Sequence, residues 1–453
     1  LLLCAALAFT ANAKLLPLLS LDDCFYARKG IELGRSGRFF TVTWNYQATF
    51  QNPPLQFWIL GRCFQWLGEN DFAARLPSIL MGLGILALTY RVGKILAGEG
   101  AAVAAVCALL LTPQFVSNAR RCMLEIPTTF WIILCFWILL EGMRRPRIHM
   151  LFALSLGGAL LTKSVLGLLA IPVFAVFCLL HPPARASLRK PWLWLGLAGG
   201  LAVGASWPIH EWLVFGPDAI RQHYLGEIAS RSMKSIPIVK RVFAYPLILL
   251  GSYQPVILPA IAGACILWKQ RRETAGLVLI WAILPVLIYS ASSAQSSRYL
   301  FPSLPALALC AGCAVEKLGE KVVTLLCRWI TPVALILLTL LLWIRPEWIA
   351  KNENRSLKEM SSVFQRIPET ESIVYLGDHY WQYANPILYY TDRFLESPVS
   401  TPQQALERAK IRASNSILCD RDRCDGLIGV ANQPEVLLQT PDWQLILLPT
   451  PPQ

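Results

Sequence analysis

Asp22 and Asp23 stand side by side just after the first apolar block of the chain, and Glu125 opens a later apolar block, five residues after Arg120. A carboxylate next to a long apolar run is costly to keep there and commonly serves a function. Two readings are open for each. Asp22 and Asp23 can act on a substrate, or can simply cap a helix N-terminus. Glu125 can join them, or can pair with Arg120 or Arg121. Cations occupy comparable places. Lys163 sits in Leu161-Thr162-Lys163-Ser164 between two apolar runs, and Arg298 begins Arg298-Tyr299-Leu300-Phe301-Pro302. Arg231, Lys234, Lys240 and Arg241 share a polar stretch. Such groups grip phosphate through charge-assisted hydrogen bonds, or reach for lipid head groups. Carboxylates and cations on one face of a bilayer together suggest a lipid-phosphate substrate. One carboxylate would take the proton of an acceptor hydroxyl or amine, and the cations would stabilise the departing phosphate.

The elements that must position these residues are apolar. Of 453 residues, 55% are hydrophobic and 15% charged, against roughly 25% charged in an ordinary soluble domain. Few charges and many aromatics exclude a disordered chain, and the length excludes a small disulfide scaffold. The apolar residues fall in blocks of about 18 to 25, enough to cross a bilayer, so the chain reads as an α-helical multi-span membrane protein. About eleven spans are expected, at 1–19, 73–97, 100–118, 124–143, 148–163, 165–180, 191–213, 243–268, 275–290, 299–316 and 323–344. The segment Leu1 to Ser20 reads as a span whose beginning is missing. It has no charged leader and no cleavage site of a signal peptide.

Lys and Arg number 41 against 28 Asp and Glu, a net charge of +13. No zinc-finger spacing, P-loop or basic helix accompanies it, so no nucleic-acid partner is expected. The lipid bilayer explains the excess. With the loop 20–72 placed outside, every alternate short loop is basic: Arg91 and Lys94; Arg144, Arg145 and Arg147; Arg185, Arg189 and Lys190; Lys269, Arg271 and Arg272; Lys317 and Lys321. That is the positive-inside pattern. It places 20–72, 214–242 and the C-terminal segment on the extracytoplasmic face of the plasma (inner) membrane. There, Asp22 to Gly34 and Leu55 to Leu67 read as interfacial helices.

Composition changes near Pro346. Residues 1–346 form the membrane module, and 350–453 read as a small extracytoplasmic α/β domain of ordinary size. Its strands are expected at Ser372 to Leu376, Ser416 to Cys419, Leu427 to Val430 and Trp443 to Leu448, with helices at 356–366 and 401–412. His379 reads as a packed or surface residue. Cys107, Cys135, Cys178 and Cys265 lie in apolar blocks and act as small hydrophobes. Cys419 and Cys424 flank a polar turn, where a local disulfide suits a segment outside the cytoplasm.

Leu21-Asp22-Asp23-Cys24-Phe25-Tyr26-Ala27 resembles the D-[DE]-x-x-Y-A motif that opens the first outer loop of bacterial glycosyltransferases with the GT-C fold. The lipid A aminoarabinose transferases and the dolichyl-phosphate-mannose protein mannosyltransferases are the nearest in kind. The resemblance continues through Asn52-Pro53-Pro54-Leu55-Gln56-Phe57-Trp58, Ala73-Ala74-Arg75-Leu76-Pro77-Ser78, Ala119-Arg120 with Glu125, Leu161 to Gly167, Leu225-Gly226-Glu227 and Arg298 to Pro302. Each motif is weak alone, but the ordered set is specific. It implies a polyprenyl-phosphate sugar donor and sugar transfer with inversion on the extracytoplasmic face. It gives Asp22 the role of catalytic base or acceptor guide, with Asp23 beside it, and Glu125 a supporting role. It puts Tyr26, Lys163 and Arg298 near the lipid phosphate or the cavity wall. Two departures stand out. Phe50-Gln51-Asn52-Pro53-Pro54 lacks the acid and the lysine of the related Phe-[EDH]-Lys-Pro-Pro, and Ser232 to Pro237 lacks the histidines of a later loop. No metal and no cofactor are therefore expected, and phosphate binding would shift toward Lys234, Lys240 or Arg241.

The expected function is an inverting membrane glycosyltransferase, with catalytic residues Asp22, Asp23 and Glu125. Tyr26, Arg120, Lys163, Arg231, Lys234 and Arg298 would bind substrate. The acceptor, whether glycolipid, polysaccharide or protein, and the sugar are not legible. Two alternatives remain. A flippase or transporter for a lipid-linked sugar calls for midplane charges and repeat symmetry, and the spans here are nearly free of midplane charge. An inactive assembly subunit is the other, kept open by the missing motif residues.

Overall fold

The structure, a computed structural model, describes residues 1–19, 22–229, 238–270, 272–290, 296–346, 354–359, 361–368, 371–431 and 433–449. Helices dominate as far as Ile344. Among the described residues, six helices are long and apolar enough to cross a membrane, or up to eight if each of two bent pairs is one span. The difference from about eleven expected spans has local causes. The first segment is helical only over Leu2–Thr10, because a turn at 11–15 ends it. The expected span 100–118 is Glu99–Leu110 followed by Pro113–Ala119 at 71°. The expected span 243–268 breaks between Phe243–Ser252 and Ile257–Gln270 at 112°. The two expected spans 148–163 and 165–180 join in one helical run, Pro146–Leu180, but that run is folded. Ser164 takes φ +46, and a Cβ on Gly167 would meet the Ala159 carbonyl carbon at 2.5 Å. The chain therefore turns back along helix Phe152–Lys163.

Close backbone approach sets the packing of the bundle. Gly312 of helix Leu304–Lys317 lies against Ala101, where an added Cβ would be 2.2 Å from the carbonyl oxygen. Gly263 of helix Ile257–Gln270 lies against Cys310 on another face of Leu304–Lys317, where a Cβ would be 1.7 Å from the carbonyl oxygen. Helix Leu304–Lys317 is thus wedged between two neighbours, and all its residues from Leu304 to Cys313 are buried. In lipid, where apolar surface is not excluded from its surroundings, such small-residue contacts carry much of the association.

Two shorter helices lie where interfacial helices are expected, Asp22–Ser36 and Leu55–Leu67. They pack on each other through Gly30, Gly34 and Gly61. Helix Asp71–Leu96 follows, its N-terminus capped by Asn70, whose side chain accepts from the Phe72 and Ala73 amides.

The C-terminal segment forms a four-stranded sheet in the order Ile373–Leu376, Ser416–Asp420, Trp443–Leu447, Glu435–Gln439. The first pair is parallel, in register Ile373 with Ser416, and the others are antiparallel. Helices Tyr380–Thr391 and Pro402–Ile411 provide the crossover between the parallel strands. One expected strand is a helix instead: Leu427 to Val430 ends Arg421–Val430. Cys424 and Leu427 are buried three residues apart while Ile428 and Val430 are exposed, which is helical periodicity. Strand Glu435–Gln439 was not expected. It is a largely exposed edge with little apolar alternation. Cys419 and Cys424 form the disulfide, with Cα atoms 5.5 Å apart.

This domain rests on helix Asp22–Ser36. The Arg28 side chain is fully buried there. It donates to Glu32 at 2.7 Å and to the Leu388 carbonyl at 3.1 Å, and it also pairs with Asp392. Arg35 joins the second oxygen of Asp392 at 2.5 Å. Tyr390 accepts from the Leu18 amide at 2.7 Å and donates to Asp71 at 3.1 Å, while Lys358 pairs with Asp71. Trp44 and Asn45 hydrogen-bond to Asn385 and Leu395.

Two outcomes follow. Gly263→Ala forces a methyl into backbone and should cost about 1–3 kcal/mol or more, read as a lower thermal midpoint of the purified protein. At Asp392, burial raises the carboxyl, but Arg28 and Arg35 lower it further, to a value below the ordinary carboxylate range. Its contribution is then complete above the unfolded carboxylate pKa of about 3.9 and is lost as pH falls through the lower folded value. The gap in thermal midpoint between wild type and Asp392→Asn should be constant near neutrality and shrink below about pH 4.

Candidate active site

Successive residues on a helix point about 100° apart, so Asp22 and Asp23 leave helix Asp22–Ser36 in different directions. Asp22 accepts from Arg298. The pair is accessible, with side chains 37% and 38% exposed. Asp23 is 1% exposed, and its Oδ2 accepts from Arg121 Nε at 2.8 Å and Nη2 at 2.5 Å. Burial pushes the Asp23 carboxyl up from its ordinary range, and Arg121 pulls it back only in part.

Glu125 opens helix Glu125–Arg144. It pairs with Lys163 at 2.8 Å, not with Arg120 or Arg121, because Lys163 ends helix Phe152–Lys163 at the same level of the bundle. The Lys163 Nζ also lies 5.7 Å from the Tyr299 ring centre. Tyr26 stands one helical turn beyond Asp22. Burial, then the negative charges of Asp22 and Glu125, push its phenol well above the usual range, so it stays a neutral hydrogen-bond donor. Asp22, Tyr26, Glu125, Lys163 and Arg298 are thus brought together, from four separate segments of the chain.

The other expected residues fare differently. Arg120 is spent on backbone: it donates to the Ala8 carbonyl and, at 2.6 Å, to that of Ala11. Arg75 does the same to Ala13, Leu16 and Pro17, at 2.5, 2.7 and 2.7 Å. The two arginines fix the chain that leads into Asp22. Arg231 and Lys234 lie outside the described residues, as do the side chains of Lys240 and Arg241. Among the described residues no group of three or more His, Cys, Asp or Glu side chains is placed to hold a metal. His379 is exposed and hydrogen-bonds through Nδ1 to Asp420 at 2.9 Å, far along the chain from the Asp22 group.

Several neighbours were missed. Arg121 was weighed only as a partner of Glu125. Lys29 is fully buried, 3.9 Å above the Phe25 ring centre, with Nζ 3.3 Å from Asn52 Oδ1. It brings a cation to the Phe50–Pro54 stretch, which lacks one of its own. The signal was present, since Asp22, Tyr26 and Lys29 share one helix face by spacing. His223 lies between the Phe50 carbonyl at 2.6 Å and Ser164 Oγ at 3.0 Å. It stands upstream of the loop segment in which histidines were sought.

A bundle of apolar helices with carboxylate–cation pairs gathered at one end, under a small α/β domain, defines a multi-pass membrane protein with its polar site at one membrane face. Comparison with known proteins makes this specific. The family model described as dolichyl-phosphate-mannose-protein mannosyltransferase matches residues 51–210. An uncharacterised protein of Aquifex aeolicus is 26% identical over 294 residues, covering 64% of this chain and 58% of its own. The undecaprenyl phosphate-alpha-4-amino-4-deoxy-L-arabinose arabinosyl transferase of Erwinia tasmaniensis is 25% identical over 317 residues, covering 67% and 56%. The chain thus spans somewhat over half the length of these relatives. In three dimensions it is similar to ArnT from Cupriavidus metallidurans bound to undecaprenyl phosphate, with TM-score 0.76 and 16% identity over 98% of this chain and 96% of that one. It is also similar to the Archaeoglobus fulgidus oligosaccharyltransferase, with TM-score 0.58 and 13% identity over 92% and 67%. The chain has the fold of ArnT from Cupriavidus metallidurans, as the GT-C resemblance of its sequence led one to expect.

The Glu125–Lys163 pair is buried, with side chains 6% and 15% exposed. Glu125→Gln leaves the ammonium without its counter-charge, at an expected cost of about 3–5 kcal/mol. Thermal unfolding of Glu125→Gln beside the double variant Glu125→Leu/Lys163→Met measures it; the double variant should recover much of the loss.

Proposed function

We propose that this protein is an inverting membrane glycosyltransferase, moving a sugar from a polyprenyl-phosphate donor to an acceptor at the extracytoplasmic face. The carrying observation is the gathering of Asp22, Tyr26, Glu125, Lys163 and Arg298 in a chain with the GT-C fold. The acceptor oxygen or nitrogen attacks the anomeric carbon, and its bond forms as the bond from that carbon to the phosphate oxygen breaks. Asp22 takes the acceptor proton. Arg298 and Lys163 hold the phosphate as charge develops on it, and the neutral Tyr26 phenol donates a hydrogen bond to it. Glu125 keeps Lys163 charged and in place. Asp23, held by Arg121, fixes the first turn of the helix that carries Asp22. Arg120 acts through the backbone it anchors. The reading also gives Arg231 and Lys234, in the loop 214–242, a share in the phosphate.

Arg298 is paired with Asp22. An arriving phosphate competes for the guanidinium, and as it wins it frees Asp22 to meet the acceptor. Donor binding thereby switches on the base.

The orientation belongs to the same proposal. The chain would cross the inner membrane several times, with 1–346 as the catalytic module and 350–453 outside. The Cys419–Cys424 disulfide supports an oxidising compartment for the C-terminal domain. Basic short loops at the opposite end support it too. There Arg147 lies 5.9 Å from the Trp192 ring centre, joining two of those loops.

Transfer from a panel of polyprenyl-phosphate sugars in membranes holding the full chain tests the reading. Asp22→Asn should lower transfer by roughly 10²–10⁴ at equal expression. Equal transfer by both proteins would remove Asp22 from the chemistry.

A further inference from the structure

Turned away from Arg298, the Asp23 face of the helix borders a cavity of about 1010 Å³. Its polar end holds Arg75, Arg120 and Arg121 with Asp23, and its far wall includes Leu335 and Leu338 of helix Thr331–Ile344. The charges do not balance. Three guanidinium groups face one carboxylate, leaving two positive charges for which the lining supplies no acid. Backbone carbonyls take up donors of Arg75 and Arg120, but a carbonyl dipole carries no net charge. Arg75 is 7% exposed, and a buried cation without a counter-ion is costly. Asp23, the one acid of the lining, is already paired with Arg121. The cavity thus offers an excess of cations and an apolar wall.

We propose that this cavity holds an anionic phospholipid of the bilayer, with its phosphate on the arginines and an acyl chain along helix Thr331–Ile344. The phosphate supplies the missing negative charge. The apolar wall, on a helix otherwise facing lipid, takes the chain. A zwitterionic lipid fits less well, because its own ammonium cancels the charge that the arginines need. The site is separate from the Asp22 group and does not depend on the proposed transfer reaction.

Lipid retention tests it directly. The full chain is exchanged into nanodiscs of equal phosphatidylglycerol and phosphatidylethanolamine, extracted, and the lipid kept per chain is read by native mass spectrometry. Wild type should keep one phosphatidylglycerol, with a preference of roughly tenfold over phosphatidylethanolamine. Arg121→Gln should bring that preference close to parity. Leu338→Trp, which fills the apolar end without touching the arginines, should lower retention of both lipids, and it stands in if Arg121→Gln does not fold. Equal retention of the two lipids by wild type overturns the proposal, as does unchanged retention in a folded Leu338→Trp. Displacement of the bound lipid by undecaprenyl phosphate overturns it as well, by assigning the cavity to the donor.

Discussion

Two consecutive carboxylates on the first turn of a helix, in a region of low dielectric, each demand a cation of their own. That constraint organises the polar end of this molecule. Because helical neighbours diverge by about 100°, the cations must arrive from two sides. Arg298 comes from the segment that starts helix Leu304–Lys317, and Arg121 from the turn before helix Glu125–Arg144. The second of those elements also carries Glu125, which meets Lys163 at the end of helix Phe152–Lys163. The helix N-terminus itself favours negative charge only by about 0.3–1 kcal/mol, too little to keep Asp23 ionised at 1% exposure. Paired arginines are what make the double acid tenable.

The C-terminal domain holds the other end of the same helix. Arg28 and Arg35 lie two turns apart on one face of the helix, and both reach Asp392. Asp392 stands just past helix Tyr380–Thr391 in a left-handed conformation, φ 55, which suits a short polar residue better than most. The helix bearing Asp22 is therefore gripped at its start by Arg121 and Arg298 and further along by Asp392. Tyr390 and Lys358 hold the chain just before it and the start of the next long helix. In the proposed role of a base that meets an acceptor within hydrogen-bond reach, Asp22 would benefit from such bracing, since small misplacements cost large factors in rate.

Much of this is legible in the sequence, and the remainder fails for identifiable reasons. Helix Leu55–Leu67 and the onset at Asp22 were readable from Pro53-Pro54, apolar spacing and acidic starts. The convergence of Asp22, Glu125, Lys163 and Arg298 was suggested by the ends of apolar blocks. Partner choice was not, because Arg120 and Arg121 are adjacent and identical in type. Only the fold sends the first to the Ala8 and Ala11 carbonyls and the second to Asp23. Bends were illegible too. Proline and glycine interrupt many of these helices without breaking them, as Pro77 and Pro208 show. The exposed edge strand Glu435–Gln439 lacks the alternation by which a strand is recognised, and Leu427 to Val430 shows four residues too few to tell a helix from a strand.

The Asp22–Arg298 pair carries the last consequence of the opening constraint. With side chains more than a third exposed, it is a pair of modest strength, since exposed ion pairs contribute only about 0–1 kcal/mol. The Glu125–Lys163 pair beside it is buried and correspondingly hard to break. A phosphate entering this site therefore meets one cation that is cheaply released and one that is not. Arg298 can turn from carboxylate to phosphate, gaining a bidentate partner of at least equal charge. Lys163 can add the phosphate while keeping Glu125, since an ammonium has three donors. In the proposed reaction, the difference in burial between two otherwise similar pairs would decide which acid is freed when the donor binds, and it would select Asp22.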